Sequence, residues 1–267
     1  KSKLPATIPP AVSYLFGVLP VGIVAGLFIF PNHIEWTWTV ILFMVILSAS
    51  MALSNWLGFV AASKIAAAPQ QTIGMLTNIS VVLMGWTLLG ETLTMQQFVG
   101  GGILLFSVML AIWAPVKTST GDFKRLDAKT LVIAVTSAIL LAVGLVTEKV
   151  LLDHMEIGGI FLVSWTAQAF GMALLAAKDM SRPALKLLKG GELRTSTILG
   201  ISNGLNGVLY IYTLFHSDNI SLVTIIGAVS FPLTILGAYL FLHEREHHRI
   251  MWLSLAVAVV GLIAISL

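Results

Sequence analysis

A chain of 267 residues that is 57% hydrophobic and only 10% charged, with a mean hydropathy of +0.96, lies far outside the range of water-soluble domains and reads as a polytopic membrane protein. Cysteine is absent, which excludes a disulfide framework, a thiolate metal site and a cysteine nucleophile. The net charge of +3 says little by itself, because in such a chain the position of each charge matters more than the sum.

Lys1-Ser2-Lys3 leads into a full-length apolar span, not into a short hydrophobic core with a cleavage site, so no signal peptide is read there. The missing initiator Met points to further sequence upstream. A bilayer-crossing helix needs about 20 mostly apolar residues. Nine such spans follow in order: 11–30, 36–62, 69–89, 95–114, 130–151, 157–177, 195–215, 220–242 and 250–267. Pro69 opens the third, where a first-turn proline is tolerated. Only the loops 115–129 and 178–194 are long, and no soluble domain or low-complexity tract is present. The reading is therefore all-α. Threading the spans alternately puts every one of the 15 Lys and Arg except Lys149 on one side. The positive-inside rule makes that side cytoplasmic, with Lys1 inside and the C-terminus outside. Trp36, Trp38, Trp113 and Trp252 fall where interfacial anchors are expected.

The two halves of the chain end alike. Leu88-Leu89-Gly90-Glu91 matches Phe241-Leu242-His243-Glu244, and Ser13-Tyr14, Leu53-Ser54-Asn55 and Gly85 match Ser164-Trp165, Leu205-Asn206 and Gly237. These anchors occur in order at a nearly constant offset of about 152 residues, the mark of a duplicated unit. The second copy, 117–267, holds five spans. The first, 1–116, shows four, and its missing partner is expected upstream of Lys1. An odd number of spans per copy sets the copies in opposite orientations, giving an inverted repeat with a ten-helix plan.

On the helix–Gly-Glu–helix ending of the first copy, the matching ending of the second and the five-plus-five plan, the chain resembles the drug/metabolite transporter superfamily, more narrowly its EamA-type members. That resemblance implies a central cavity lined by the first four helices of each repeat. It also implies a fifth helix on the outside that packs against neighbours, so a homodimer through the fifth helices is an expectation. The second copy departs from the first with His243 at the position of Gly90 and Pro232 at that of Ser80, and many relatives keep the C-terminus inside.

Polar residues inside a bilayer are costly, so they face a cavity or another helix. Asn203, Asn206, Tyr210 and Thr213 recur at i, i+3, i+7 and i+10 on one stripe. Ser48, Ala52 and Asn55, with Trp56 beside them, form the matching stripe on 36–62. Ser164, Trp165, Gln168 and Gly171 lie over two turns of 157–177. Gln71, Gly74 and Asn78 on 69–89 are answered by Gly227, Ser230 and Thr234 on 220–242. One reading is a neutral, hydrogen-bonding substrate pocket with the aromatic walls Tyr14, Trp56, Trp165 and Tyr210. The other is interhelical adhesion, at about 1 kcal/mol per hydrogen bond. Gly22–Gly26 and Gly200–Gly204 are small-xxx-small pairs that permit close helix approach, and Gly100-Gly101-Gly102 reads as packing or as a flexible helix start. Pro20 and Pro232 are expected to bend their helices.

Glu148 is the one candidate coupling carboxylate, since a proton-driven carrier needs an acidic group within the membrane. Its neighbour Lys149 offers a plainer reading, an interfacial ion pair. His243-Glu244-Arg245-Glu246-His247 matches the zinc-protease pattern H-E-x-x-H, but sits in a charged corner with no third-ligand motif elsewhere. Asn78-Ile79-Ser80 and Asn219-Ile220-Ser221 match the glycosylation pattern, the first inside a span and the second too near the membrane to serve.

The expectation is a non-enzymatic secondary transporter of the cytoplasmic membrane that moves a small polar metabolite, such as an amino acid or sugar, by alternating access. It needs no metal or cofactor, and its partners are membrane lipid and the small-molecule substrate, not nucleic acid. An intramembrane zinc hydrolase and a non-transporting receptor or assembly subunit are the alternatives.

Overall fold

The computed structural model describes residues 5, 7–65, 67–92, 94–113, 116–117, 123–124, 127–179, 191–217, 219–227 and 248–266. Five helices are long and apolar enough to cross a membrane: Ile8–Ile29, Trp38–Ala62, Ala128–Leu152, Ile157–Ala176 and Gly191–Phe215. Those of 25 residues extend about 37 Å at 1.5 Å per residue, more than the hydrocarbon core requires. Ala67–Leu88, Met95–Trp113 and His248–Ser266 are also helical. Such helices are compatible with a multi-pass membrane protein. Of the expected span 220–242, Ile220–Gly227 is helical and the rest lies outside the described residues, Pro232 with it. A two-residue antiparallel ladder joins Val116–Lys117 to Phe123–Lys124.

Ile8–Ile29 is not a uniform α-helix. Wider π turns at Tyr14–Val18 and Ala25–Ile29 flank an α segment from Leu19 to Val24. Pro20 cannot donate a hydrogen bond, so the ladder is broken one position beyond Leu19, whose N–H reaches back five residues to the Tyr14 carbonyl. Ile157–Ala176 carries a π turn as well, at Ile160–Ser164. Asp127 precedes Ala128–Leu152 and its Oδ2 accepts the Thr130 N–H at 3.3 Å, an N-cap. Hydrogen bonding from Thr130 holds the Asp127 carboxyl below the usual carboxylate range.

The chain forms two compact units, and each draws helices from both halves of the sequence. The first comprises Lys1–Val60 and Val143–Asp218. In it Ile8–Ile29 packs on Gly191–Phe215 through glycine. A Cβ on Gly200 would stand 2.1 Å from the Ser13 carbonyl oxygen, one on Gly17 would stand 2.4 Å from the Gly200 Cα, and Gly204 faces Val21. On the other side Gly22 receives the Trp165 ring and Gly26 the Gly158 carbonyl, so both small-xxx-small pairs lie at helix contacts. Trp38–Ala62 joins the same core where Ala52 meets Met172 and Ala176, and Gly144 of Ala128–Leu152 admits Met51.

The second unit comprises Ala61–Ala142 and Asn219–Leu267. Its main pairing is Met95–Trp113 with His248–Ser266. There Gly261 lies against the Gly100 carbonyl and Leu104, and the Ser254 hydroxyl donates to the Ser107 carbonyl at 2.9 Å. Among the described residues, Gly101 and Gly102 have no neighbour within 4 Å of where a Cβ would be, and Gly100 is the member of the triple at this contact. Thr77 donates to the Ala138 carbonyl at 3.1 Å, beside an apolar cluster of Ala61, Ile65, Ile73 and Ala134.

Candidate functional site

Helix Gly191–Phe215 presents three faces, because successive residues turn by about 100°. Ser196, Gly200, Gly204, Ile211 and Leu214 form the buried face. Ile198, Ile201, Leu205, Leu209 and Tyr212 are exposed on a mostly apolar face suited to lipid. Between these two faces run Asn203, Asn206, Tyr210 and Thr213. Both asparagines and Thr213 are exposed, and Tyr210 is half-buried. Thr213 Oγ1 donates to the Leu209 carbonyl at 2.8 Å, within its own helix. The asparagine amides therefore do not serve as adhesion inside this unit. They make an accessible hydrogen-bonding surface along an otherwise apolar helix.

A second polar group is enclosed. Tyr14 and Trp56 both pack on Ala11, Ala52, Met172 and Ala176, which brings together the helices containing residues 14, 56 and 172. The Trp56 Nε1 and, two turns away on the same helix, the Ser48 Oγ are buried with no hydrogen-bond partner among the described residues. Glu148 is only 3% exposed and lies close enough to the Tyr14 phenol for the two to interact electrostatically. The ion pair with Lys149 does not form. The Lys149 ammonium instead donates to the Ser217 carbonyl at 3.0 Å, at the end of the helix that carries the asparagine stripe.

The remaining expected pocket residues are placed otherwise. Asn55 is half-buried, and its amide donates to the Met51 carbonyl of its own helix at 2.8 Å. Trp165, 4% exposed, is clasped by Gly22 and Gly207 and meets the Phe161 ring edge-on at 4.9 Å. Its ring is taken up by these helix contacts. Gln168 is equally buried and donates to the Ser164 hydroxyl one turn back at 2.9 Å. Asn78 belongs to the second unit, where its amide is 3.9 Å from the Met75 sulfur. Ser230, the H-E-x-x-H segment 243–247 and Glu244 lie outside the described residues. No cluster of three metal-ligating side chains occurs among the described residues.

The corner at Gly90-Glu91 does more than mark the end of the first copy. Gly90 has φ of +68°, a left-handed conformation that glycine adopts without strain. The turn directs Glu91 onto the start of Ile220–Gly227. Its Oε1 accepts the Ile220 N–H at 2.7 Å, and its Oε2 accepts the Ser221 N–H at 3.3 Å and the Ser221 hydroxyl. An acceptor with negative charge suits a helix N-terminus, where backbone N–H groups lack partners. Asn219 completes the cap by accepting the Leu222 N–H at 3.0 Å, and Ser221 is fully buried, so this sequon is a helix cap. Gly85 makes room, since a Cβ there would meet Glu91 Oε2 at 2.5 Å. The signal in the sequence was the acid itself beside a glycine at a helix end, but its partner lies 129 residues away.

In sequence, no family model matches the chain and no curated protein matches it. In structure it is similar to a solved protein described only as "Crystal structure of protein", with a TM-score of 0.73 at 17% identity, covering 99% of this chain and 90% of that one. At that identity the likeness shows the fold alone.

Proposed function

We propose that the chain is a secondary transporter of the cytoplasmic membrane, similar to EamA-type drug/metabolite transporters, that moves a small polar metabolite by alternating access. The observation that carries this reading is the exposed stripe of Asn203, Asn206, Tyr210 and Thr213, set between a packing face and a lipid-suited face of one membrane helix. Asparagine amides facing lipid would lose hydrogen bonds to water with nothing in return. Facing an aqueous path, they bind a solute with hydrogen-bonding groups.

The helix pairings support an inverted repeat of 1–116 with 117–267. Each compact unit holds corresponding helices of both halves: Ile8–Ile29 and Trp38–Ala62 beside Ile157–Ala176 and Gly191–Phe215 in one, Met95–Trp113 beside His248–Ser266 in the other. Two copies related by a two-fold axis produce such an exchange. The same reading puts Lys1 inside and the C-terminus outside, and leaves the final helix of each half available for a homodimer.

The test is tracer exchange in liposomes containing the full chain, with labelled neutral amino acids and a hexose as probes and with no ion gradient. At least one probe should exchange. Asn203→Leu with Asn206→Leu should slow that exchange at least about tenfold, the equivalent of one good hydrogen bond (~1.4 kcal/mol) lost in binding. Exchange of a probe at the wild-type rate in the double variant would remove the stripe from the transport path.

A further inference from the structure

We propose that Glu148 is a proton-binding site within the membrane span and that its proton is linked to substrate movement; the linkage rests on the transporter reading above. Glu148 lies four residues before the end of Ala128–Leu152 and is 3% exposed. Among the described residues it takes no hydrogen bond and forms no ion pair. The sequence-adjacent cation is engaged elsewhere, at the Ser217 carbonyl.

The charges around it are few. Ile8–Ile29, Trp38–Ala62 and Ile157–Ala176 contain no Asp, Glu, Lys, Arg or His. On Gly191–Phe215 the charged residues, Glu192 and Arg194, are in the first turn, and Lys129 is in the first turn of Glu148's own helix. Among the described residues, the Tyr14 phenol is within electrostatic range of Glu148. An ionised carboxylate in such surroundings lacks both a counter-charge and bulk water, so burial penalises it.

The neighbours are nonetheless able to serve both states of the carboxyl. Gly144, one turn earlier on the same face, meets Met51. The Ile34–Met155 bridge joins the start of Trp38–Ala62 to the end of Ala128–Leu152, so the two helices run antiparallel. With Gly144 against Met51, the antiparallel run puts Glu148 near the level of Leu47 along the helix axes. The Ser48 hydroxyl is buried with no partner among the described residues, as is the Trp56 indole N–H further along the same helix. A hydroxyl at this depth can donate to a carboxylate and, rotated, accept from a carboxylic acid, so it suits either charge state. In the step itself one proton arrives from water, binds a carboxylate oxygen and is later released to water, with no change of oxidation state.

The experiment uses the full chain in liposomes of phosphatidylethanolamine and phosphatidylglycerol. Infrared difference spectra are taken between about pH 5 and about pH 9, a range that brackets the free carboxyl and the physiological switch region. Wild type should show the carbonyl stretch of a protonated carboxylic acid in a dry setting, present at the acid end and lost at the alkaline end. Glu148→Gln should lack this band, and Glu148→Asp should restore it at a shifted position. A band that persists in Glu148→Gln, or a wild type without a pH-dependent band, overturns the proton site. Exchange of labelled L-serine is then followed over the same range. A rate that depends on pH in wild type and is flat in Glu148→Gln supports the linkage, and equal pH dependence in both overturns it. If wild type exchanges no serine at any pH, the linkage fails with this probe and the transporter reading loses support, while the infrared band still decides whether Glu148 binds the proton.

Discussion

The Glu91 carboxylate receives the Ile220 and Ser221 backbone N–H groups and the Ser221 hydroxyl, whereas Glu148 in the other compact unit receives none among the described residues. Glu91 stands at a helix corner outside the spans, half-buried, with each oxygen used. Glu148 stands inside a membrane helix, almost fully buried, with the Tyr14 phenol within electrostatic range. The difference separates two uses of one side chain. A carboxylate whose lone pairs are all occupied holds elements together. One that is buried and left unoccupied makes no such contribution to stability.

The comparison breaks most visibly at Glu91. Glu91→Ala leaves two backbone N–H groups and a buried hydroxyl at the start of Ile220–Gly227 without their acceptor. With about 1–3 kcal/mol for each unsatisfied buried group and partial rescue by water, the expected loss is about 3 kcal/mol. Denaturation followed by intrinsic tryptophan fluorescence in detergent micelles measures it, with Glu91→Gln losing roughly half as much because the amide keeps one acceptor. An Ala variant as stable as wild type would show that the cap is incidental.

A smaller effect sharpens the same point from the side of the pocket that holds Glu91. Gly85→Ala places a methyl 2.5 Å from the Glu91 oxygen and 2.8 Å from the Ser221 hydroxyl, so the carboxylate must withdraw from the helix terminus. Overpacking of this kind costs about 2 kcal/mol. If the cap is what is lost, Gly85→Ala adds little to Glu91→Ala in a double-mutant cycle. Full additivity in that cycle would mean that Gly85 serves some other contact.

Much of this arrangement was legible in the chain. Uniform apolar stretches of the right length mark the membrane helices whatever they touch, because the bilayer imposes the same demand on each. The asparagine stripe was legible because 3.6-residue periodicity places Asn203, Asn206 and Tyr210 on one side before any neighbour is known. Small-xxx-small pairs announced close approach, yet not that Gly200 meets Ser13 and Gly17. Trp165 shows the same limit. Its polar neighbours suggested a pocket wall, while the glycines that enclose it lie on two other helices. Lys149 misled in a more instructive way. Adjacent residues on a helix point about 100° apart, so i and i+1 do not face each other and sequence adjacency favours no ion pair. The Glu91 cap joins elements separated by most of the chain, and no local pattern encodes that partner.

The last and smallest effect is the one that decides between the two uses. Glu148→Gln keeps the shape and removes the ionisable group. Since no hydrogen bond or ion pair is lost with it among the described residues, stability should stay within about 1 kcal/mol of wild type, and any change should be a gain. Breaking an interaction of the Glu91 kind would cost several times more, so the sign and size of this one number test the comparison directly. The same denaturation measurement applies, made at neutral pH beside Glu91→Gln. A loss of more than about 2 kcal/mol would mean that Glu148 is engaged after all and stands with Glu91 as a structural residue. A neutral or positive change, together with a loss of pH-dependent exchange, would place its value in the reaction cycle, because a residue whose removal leaves the fold untouched must act at some step that the folded state makes possible.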